Sequence, residues 1–315
     1  MRRLIINLGV IAVAFLFFIL WYQRYIEYST QIMTVQSEKR YQVQLITADK
    51  GAQYWGAMNQ GAADMAILTD ANYRWEAPAK RNVERQIELI HNAVEQGAEA
   101  LLVAADDPVL ISSAIEEAKN KGVKIIYVDT PADEEPITTL STDNYKAGVK
   151  AGRVMLTILE ETGRKVGSVG IITLTSKTNT KLREDGFRDI LEQDGRYKLL
   201  ETVVTETDDP VVAQKAAERL INENQDLVAL FGTSEGISIG VGKANKSANN
   251  RYAGVGFDKS DALLKLLHEG SINAVIAQNP YTMGYLGMAQ ALAAIQGRDT
   301  GPKYIDTGVS VLVNY

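Results

Sequence analysis

From residue 41 onward, short apolar segments alternate with longer segments in which apolar residues recur every three or four positions. This alternation predicts β-strands joined by helices, as in a parallel sheet covered on both faces. A strand near 73–75 is only weakly marked. The region has roughly 270 residues, which is more than a single hydrophobic core usually serves, so two α/β lobes are expected. The other expected strands are 42–47, 100–104, 123–128, 166–172, 199–204, 227–231, 252–255 and 272–277, and the expected helices are 80–96, 109–120, 145–161, 211–224, 261–269 and 281–296.

The composition narrows the function classes. The chain has 315 residues and a net charge of −6, without a long run of Lys and Arg. A nucleic-acid surface is therefore not expected, because phosphate binding depends on clustered positive charge. Cysteine is absent, which excludes disulfides and thiolate metal sites. His91 and His268 both fall on predicted helices and no Gly-Lys-Ser/Thr phosphate loop occurs, so we expect neither a metal nor a cofactor.

The N-terminal segment predicts a location outside the cytoplasm. Residues 4–22 form an apolar run of about 19 residues, close to the roughly 20 that span a bilayer. Because Arg2 and Arg3 precede this run, the positive-inside rule places the rest of the chain outside. A cleaved signal peptide is the alternative, but no small-x-small cleavage site follows the run. We expect an uncleaved transmembrane anchor at 1–22 and a polar stalk at 23–40.

Two of the expected strands end on a carboxylate. Asp129 follows the apolar run 123–128, and Asp258 follows the run 252–257. Ligands of open α/β sheets bind outside the carboxyl ends of the strands, so two acceptors there predict a cleft for a ligand rich in hydroxyl donors. The alternative is that Asp129 caps a turn and Asp258 caps the helix that starts near Ser260.

Two further polar residues fit such a cleft. Arg183 carries a planar fork of donors and a permanent charge that can compensate the two acids. Gln278 follows another apolar run and offers both a donor and an acceptor. The alternative for Arg183 is a pair of surface contacts with Asp185 and Asp189 on its own predicted helix, which contribute little.

Adjacent aromatic residues follow the first strand. Tyr54 and Trp55 present ring faces that can stack on the C–H face of a sugar, and we expect them to sandwich it, Trp55 above all. The alternative is that both rings only pack beneath the first helix.

Six short motifs occur in a fixed order along the chain: Tyr54-Trp55, Val128-Asp129, Ser141-Thr142-Asp143-Asn144, Arg183-Glu184-Asp185-Gly186-Phe187, Val255-Gly256-Phe257-Asp258 and Ala277-Gln278-Asn279-Pro280. This set resembles the periplasmic ribose-binding protein family, and the resemblance spans residues 41–315. The resemblance implies a type I periplasmic binding protein: two Rossmann-like lobes with parallel sheets, joined by three crossovers, that close on a ligand between them.

The resemblance also implies how the chain divides. The N-terminal lobe would comprise 41–142 plus 279–301, and the C-terminal lobe 143–278 plus 302–315. Thr142, Asp143 and Asn144 would form part of the hinge. Asp143 and Asn144 are expected to organise the hinge and the start of the next helix rather than to contact ligand.

Four positions depart from the family pattern. Ala52 replaces a common asparagine, Thr130 an arginine, Asp208 an aromatic residue, and Ser234 an asparagine or aspartate. Because several donors are missing, ribose would leave hydroxyls unmatched, and another pentose, a hexose or a furanose-like signal molecule is expected instead. Thr130, Asp208 and Ser234 remain candidate ligand-binding residues, and the hydroxyls of Thr130 and Ser234 can supply weaker hydrogen bonds.

Three function classes remain. The leading one is a non-catalytic, membrane-anchored receptor that captures a monosaccharide-like ligand for an ABC importer or for a membrane histidine kinase. The second is a glycoside-processing enzyme that uses paired carboxylates. The third is the core of a sugar-responsive transcriptional regulator of the LacI type, but a membrane segment stands where its DNA-binding helices would be.

Overall fold

The computed structural model describes residues 17–26, 40–174 and 178–314. Most of the predicted anchor at 1–22 and of the predicted stalk at 23–40 lies outside these residues. Residues 17–26 are helical, with exposed side chains. Within the described part of the chain, no helix combines the length and the apolar character that crossing a bilayer requires.

Strands and helices alternate along the described chain, as the sequence pattern predicts. The strands are β1 Gln42–Ile46, β2 Asn72–Glu76, β3 Ala100–Val103, β4 Lys124–Val128, β5 Thr138–Ser141, β6 Gly167–Leu174, β7 Tyr197–Leu199, β8 Val203–Thr205, β9 Leu227–Gly232, β10 Ala253–Phe257, β11 Ala274–Gln278, β12 Tyr304–Asp306 and β13 Val309–Val313. The helices are α1 Gln53–Leu68, α2 Val83–Glu95, α3 Ser112–Asn120, α4 Asn144–Glu161, α5 Thr178–Asp194, α6 Pro210–Glu223, α7 Glu235–Ser247, α8 Asp261–His268 and α9 Pro280–Ile295.

The strands form two sheets. The first has the order β12-β5-β4-β3-β1-β2 and is parallel throughout. The second has the order β13-β11-β10-β9-β6-β7, with β8 also paired to β6, and only β13 runs antiparallel to its neighbour. Each sheet has a separate apolar cluster on each of its two faces, so each sheet and its helices make one lobe.

The chain passes between the sheets three times. It leaves the first sheet after β5, returns to it through α9 after β11, and leaves again between β12 and β13. The last crossing differs from the predicted division, which assigns 302–315 to the C-terminal lobe. Tyr304–Asp306 pairs with β5 in the first sheet, and only the residues from β13 onward join the second. This three-residue edge strand is mostly exposed and carries no apolar run that marks its sheet.

Candidate functional site

The backbone holds Asp129 and Asp258 in the same way at the ends of β4 and β10. Both have a left-handed conformation, with φ of 65° and 71° respectively. The Asp129 N–H donates to the carbonyl oxygen of Leu140 at 2.8 Å, and the Asp258 N–H donates to that of Ile276 at 2.9 Å. Non-glycine residues rarely adopt this conformation, although Asp tolerates it better than most, and such residues cluster at functional sites.

Hydroxyl groups hold the Asp129 carboxylate. The Tyr54 hydroxyl donates to Oδ1 at 2.6 Å, and the Thr130 hydroxyl donates to Oδ2 at 2.7 Å. Burial, followed by the charges of Asp129 and Asp258, raises the pKa of Tyr54 well above its ordinary value. The phenol therefore stays protonated and remains a donor to Asp129 at any physiological pH.

An amide and a guanidinium face the Asp258 carboxylate. Gln278 Nε2 donates to Oδ1 at 2.6 Å, and Arg183 Nη1 lies 3.8 Å from Oδ2. Burial raises the pKa of Asp258, and the charges of Asp129 and Asp208 raise it further, although Arg183 and Gln278 oppose the shift. Ionised Asp258 is therefore poorly compensated by its own lobe.

Arg183 is buried and is contacted by groups of its own lobe. It is 4% exposed; its Nε donates to Asn144 Oδ1 at 2.8 Å, and its Nη1 donates to the carbonyl oxygen of Thr233 at 3.0 Å. The guanidinium carbon lies 3.8 Å from the centre of the Phe257 ring. The alternative of surface pairs is therefore wrong: Asp185 pairs with Lys181, and Asp189 accepts a hydrogen bond from Tyr145.

The two aromatic residues have different surroundings. Their rings meet edge to face, with centroids 4.9 Å apart. Tyr54 is half-buried beside Asp129, with its hydroxyl 3.5 Å from Met283 Sδ. Trp55 is 4% exposed within the apolar core, and its Nε1 donates to Asp49 Oδ2 at 3.1 Å. The expected sandwich by Trp55 does not fit this placement, because a core ring has no free face.

A second group of polar residues lies at the start of α7. The Ser234 hydroxyl donates to Asp208 Oδ1 at 2.6 Å, and the Ile237 N–H donates to the same oxygen at 3.1 Å. Glu235 was not among the predicted site residues. Burial raises the pKa of Glu235, with Ser260 opposing and Asp258 and Asp208 adding to the shift. Asp208 and Glu235 therefore belong to the same electrostatic group as Asp258.

The predicted hinge residues lie at the first crossing, between β5 and α4. Asp143 caps α4 by accepting a hydrogen bond from the Lys146 N–H at 3.0 Å, and its own N–H donates to Asp306 Oδ1 at 3.1 Å. Thr142 is buried, and its hydroxyl has no hydrogen-bond partner among the described residues. Asn144 connects this crossing to Arg183.

Away from the crossings, two pairs of described residues make polar contacts between the lobes. Gln53 Nε2 donates to Asp261 Oδ2 at 3.0 Å, and the Asp261 N–H donates to Gln53 Oε1 at 3.1 Å. Asn179 Nδ2 donates to Thr130 Oγ1 at 3.3 Å. The first pair connects the first residue of α1 with the first residue of α8, and we call it the interlobe clasp.

Comparison with known proteins identifies the family. The sequence profile described as periplasmic binding protein domain matches residues 43–299. The chain belongs to this family. The resemblance seen in the motifs is confirmed, and the fold is the α/β type I fold of these proteins. The prediction of a binding protein rather than an enzyme is confirmed as well.

Individual members of the family are similar over most of the chain. The ribose import binding protein of Bacillus subtilis is 25% identical over 222 residues, which are 70% of either chain. The sugar-binding protein of a sugar ABC transporter from Bacillus halodurans has a TM-score of 0.81 and 26% identity, covering 87% of this chain and 97% of that one. A carbohydrate transporter solute binding protein from Agrobacterium radiobacter, solved in complex with D-arabinose, has a TM-score of 0.79 and 26% identity, covering 88% and 95%.

Four glycines that were not predicted bring the helices of the site together. A Cβ on Gly61 or Gly284 would approach a backbone oxygen across the α1–α9 contact to 2.0 Å or less, and one on Gly148 or Gly186 would do so across α4–α5 at 2.1 Å. These close approaches position α1, which carries Tyr54, and α5, which carries Arg183. The available signal was glycine inside segments with helical periodicity, where it is otherwise unfavourable.

Proposed function

We propose that the chain captures a monosaccharide-like ligand between its two lobes and hands it on without chemical change. One observation carries the proposal: each lobe ends a strand on a carboxylate, and the two carboxylates lie near each other. Asn179 of the second lobe donates to Thr130, which holds Asp129, and the charge of Asp129 raises the pKa of Asp258. A ligand between them would contact both lobes at once. That contact favours the closed arrangement over an open one.

The site residues divide by what they can offer a sugar. The Asp129 and Asp258 carboxylates accept hydroxyl hydrogens, and charge-assisted bonds of this kind are about twice as strong as neutral ones. Arg183 and Gln278 can donate to ligand oxygens. Tyr54 limits the cleft with its ring edge, and Trp55 supports Tyr54 from the core. Further polar contacts would come from Thr130, Asp208 and Ser234.

Lobe closure is the proposed working motion. Thr142, Asp143 and Asn144 lie where the chain first crosses between the sheets, so a change of their backbone angles rotates one lobe against the other. Because Asn144 also holds Arg183, the crossing and the site share one side chain. The interlobe clasp would form when the cleft closes.

We propose an ABC importer as the partner. In support, the similar proteins include one named for ribose import and one for a sugar ABC transporter. The second candidate is a membrane histidine kinase, which the apolar run 4–22 favours because a fixed receptor can signal in place. Crosslinking the full chain in its native membrane and identifying the attached protein separates the two: a permease without a kinase would reject sensing.

The proposed anchor has its own test. Residues 1–22 should keep the full chain in the membrane pellet after an alkaline carbonate wash, with residues from 41 onward accessible to protease from outside the cytoplasm. A chain that appears entirely in the supernatant would refute the uncleaved anchor.

Thermal denaturation of the purified full chain in detergent tests ligand capture. The screen contains the neutral monosaccharides D-ribose, D-xylose, L- and D-arabinose, D-galactose and D-glucose, and the amino sugars derived from the hexoses. We expect at least one of these compounds to raise the melting temperature. The same compound should leave the Asp258→Asn variant unshifted. If no compound shifts the folded wild-type chain, monosaccharide binding is rejected.

A further inference from the structure

Acidic side chains outnumber basic ones around the cleft. The charges of Asp129 and Asp208 raise the pKa of Asp258, and those of Asp258, Asp208 and, across the lobes, Asp49 raise the pKa of Glu235. Glu235 is the first residue of α7 and directly follows Ser234, whose hydroxyl donates to Asp208. Asp129 and Asp258 have little exposure, Glu235 is half-buried and Asp208 is exposed. We call Asp129, Asp208, Glu235 and Asp258 the acidic group.

The described residues provide one counter-ion for the acidic group. Within the described ranges, the four acidic residues form one ion pair, between Asp258 and Arg183 at 3.8 Å. The guanidinium also bonds to Asn144 and to the carbonyl oxygen of Thr233 and lies on Phe257, so it cannot move towards the other acids. Within the described ranges, the four carboxyl groups thus have one ion-paired guanidinium among them, and it lies beside Asp258.

An unpartnered acceptor provides an independent observation. Gln278 is 8% exposed, and its Oε1 is buried without a hydrogen-bond partner among the described residues. Because Nε2 of the same amide donates to Asp258, Oε1 is held next to that carboxylate. A buried acceptor without a donor is costly, so this corner of the cleft needs a donor rather than another acceptor.

Resting on the proposed function, we propose that the ligand is an amino sugar, whose ammonium group binds beside Asp258 and Gln278, within the acidic group, while its hydroxyls bind Asp129. An ammonium offers three donors, no acceptor and a positive charge, which matches both the orphan acceptor and the excess of carboxylates. A neutral sugar supplies donors but leaves the charge uncompensated. A metal ion fits less well, because no three acidic or histidine side chains of the described residues converge to hold one.

Matched sugars test the charge directly. Titration calorimetry of the full chain in detergent at pH 7 would compare D-galactosamine with D-galactose and N-acetyl-D-galactosamine, and likewise the gluco and manno trios. Within each trio the ring and all hydroxyls except the substituent at C2 are kept, and the positive charge is present in one member only. We expect at least one amino sugar to bind about ten-fold or more tightly than both of its neutral counterparts.

Proton release gives a second readout. Burial raises the pKa of Asp258 and of Glu235, and a bound ammonium would lower both again. At mildly acidic pH, binding of the amino sugar should therefore release protons, which appears as a dependence of the measured heat on the ionisation enthalpy of the buffer. A neutral sugar should show a smaller dependence.

Variants connect the preference to the acidic group. Glu235→Gln should reduce the ratio of amino-sugar to neutral-sugar affinity several-fold, whereas the control Glu192→Gln, at an exposed position of α5, should leave the ratio unchanged. An unchanged ratio in Glu235→Gln would overturn the assignment of the ammonium to this group. Neutral sugars that bind as tightly as their amino counterparts would overturn the inference but keep the proposed function, and no binding by any compound would overturn both.

Discussion

The two lobes build their halves of the cleft with the same backbone devices. In each lobe, glycines let two helices touch: Gly61 and Gly284 in the first lobe, Gly148 and Gly186 in the second. In each lobe, a strand ends on an aspartate in the left-handed conformation whose N–H bonds to the neighbouring strand. The two lobes differ in the side chains that contact the carboxylate.

Neutral groups hold the first carboxylate, and a charged group faces the second. Asp129 accepts hydrogen bonds from two hydroxyls, whereas Asp258 has one amide donor and a guanidinium 3.8 Å away. Because the pKa of Asp258 is raised despite Arg183, its charge weakens the unliganded fold. We infer that Asp129 mainly stabilises the first lobe, whereas Asp258 is kept for ligand binding at some cost to the stability of the second lobe.

The largest expected effect separates these two acids. Asn tolerates the left-handed conformation and has the shape of Asp, so Asp258→Asn removes the charge, and its one remaining oxygen can still accept the hydrogen bond from Gln278. We expect it to cost about 2–5 kcal/mol of ligand binding, a loss of roughly 30-fold or more, without lowering the free energy of unfolding at neutral pH. Asp129→Asn should lower both the ligand affinity and the free energy of unfolding, because an amide has one acceptor oxygen for the two hydroxyls that donate to Asp129. Titration calorimetry and urea unfolding of both variants check the contrast.

The pH dependence of stability should follow Asp258. Its pKa is raised above the ordinary value of 3.8, so the folded chain binds more protons than the unfolded chain at pH values just above 3.8. The resulting contribution to stability is present below the unfolded pKa and is lost as the pH rises through the folded pKa. The unfolding free energy of Asp258→Asn relative to wild type should therefore increase across this window. Parallel curves would contradict a raised pKa.

The helix contact should give the next largest effect. A Cβ on Gly61 would lie 2.0 Å from the carbonyl oxygen of Tyr281, so Gly61→Ala should destabilise the chain by about 1–3 kcal/mol. Gly56→Ala is the control in the same helix: its Cβ would have no neighbour within 4 Å, and a gain of up to about 1 kcal/mol is expected from helix propensity. Urea unfolding measures both. Equal effects would mean that the α1–α9 contact can relax.

The same test applies to the second lobe. Gly148→Ala would place a Cβ 2.1 Å from the carbonyl oxygen of Arg183 itself. If the lobes are equivalent in this respect, its loss of stability should match that of Gly61→Ala. A much smaller loss would show that only the first lobe depends on the close contact.

Buried apolar runs made most of the fold predictable, and buried polar strands did not. The strands β3, β4, β9, β10 and β11 lie close to their predicted positions, because each is almost entirely apolar. The strand β1 does so as well, although Gln42 and Gln44 alternate with its apolar residues. The strand Thr138–Ser141 was missed although all four residues are buried. Two of its three hydroxyls donate to backbone acceptors: Thr138 to the carbonyl oxygen of Pro302 and Ser141 to that of Asp129. These acceptors are distant in the sequence, so the hydropathy pattern of the strand cannot reveal that its polar residues are buried.

Residues of the proposed site could be picked out where a polar residue directly follows an apolar run. Asp129, Asp258 and Gln278 could be found because each follows an apolar run. Trp55 was misinterpreted, since two adjacent aromatic residues at the start of a helix do not reveal which ring faces the core. Glu235 was missed because a glutamate after a possible capping serine is ordinary in the first turn of a helix.

A smaller effect is expected from the hydroxyl that holds Asp129. Tyr54→Phe removes its donor at 2.6 Å but keeps the ring contact with Trp55, and we expect a loss of stability of about 1 kcal/mol. Tyr73→Phe is the control, because that hydroxyl donates to Asn59 Oδ1 at 2.8 Å in the same lobe. Both variants should lose stability, but only Tyr54→Phe should change ligand affinity. Equal affinities would remove Tyr54 from the site.

The smallest expected effect concerns the interlobe clasp. Gln53→Ala removes both hydrogen bonds to Asp261, which are exposed and together contribute about 0.5 kcal/mol. Because the proposed closure forms the clasp, its loss should raise the rate of ligand dissociation about two-fold and leave association unchanged. Gln60→Ala is the control, since its bond to Asp64 lies within α1. Stopped-flow dissociation compares the two variants, and equal rates would mean that closure depends on the ligand and the carboxylates alone.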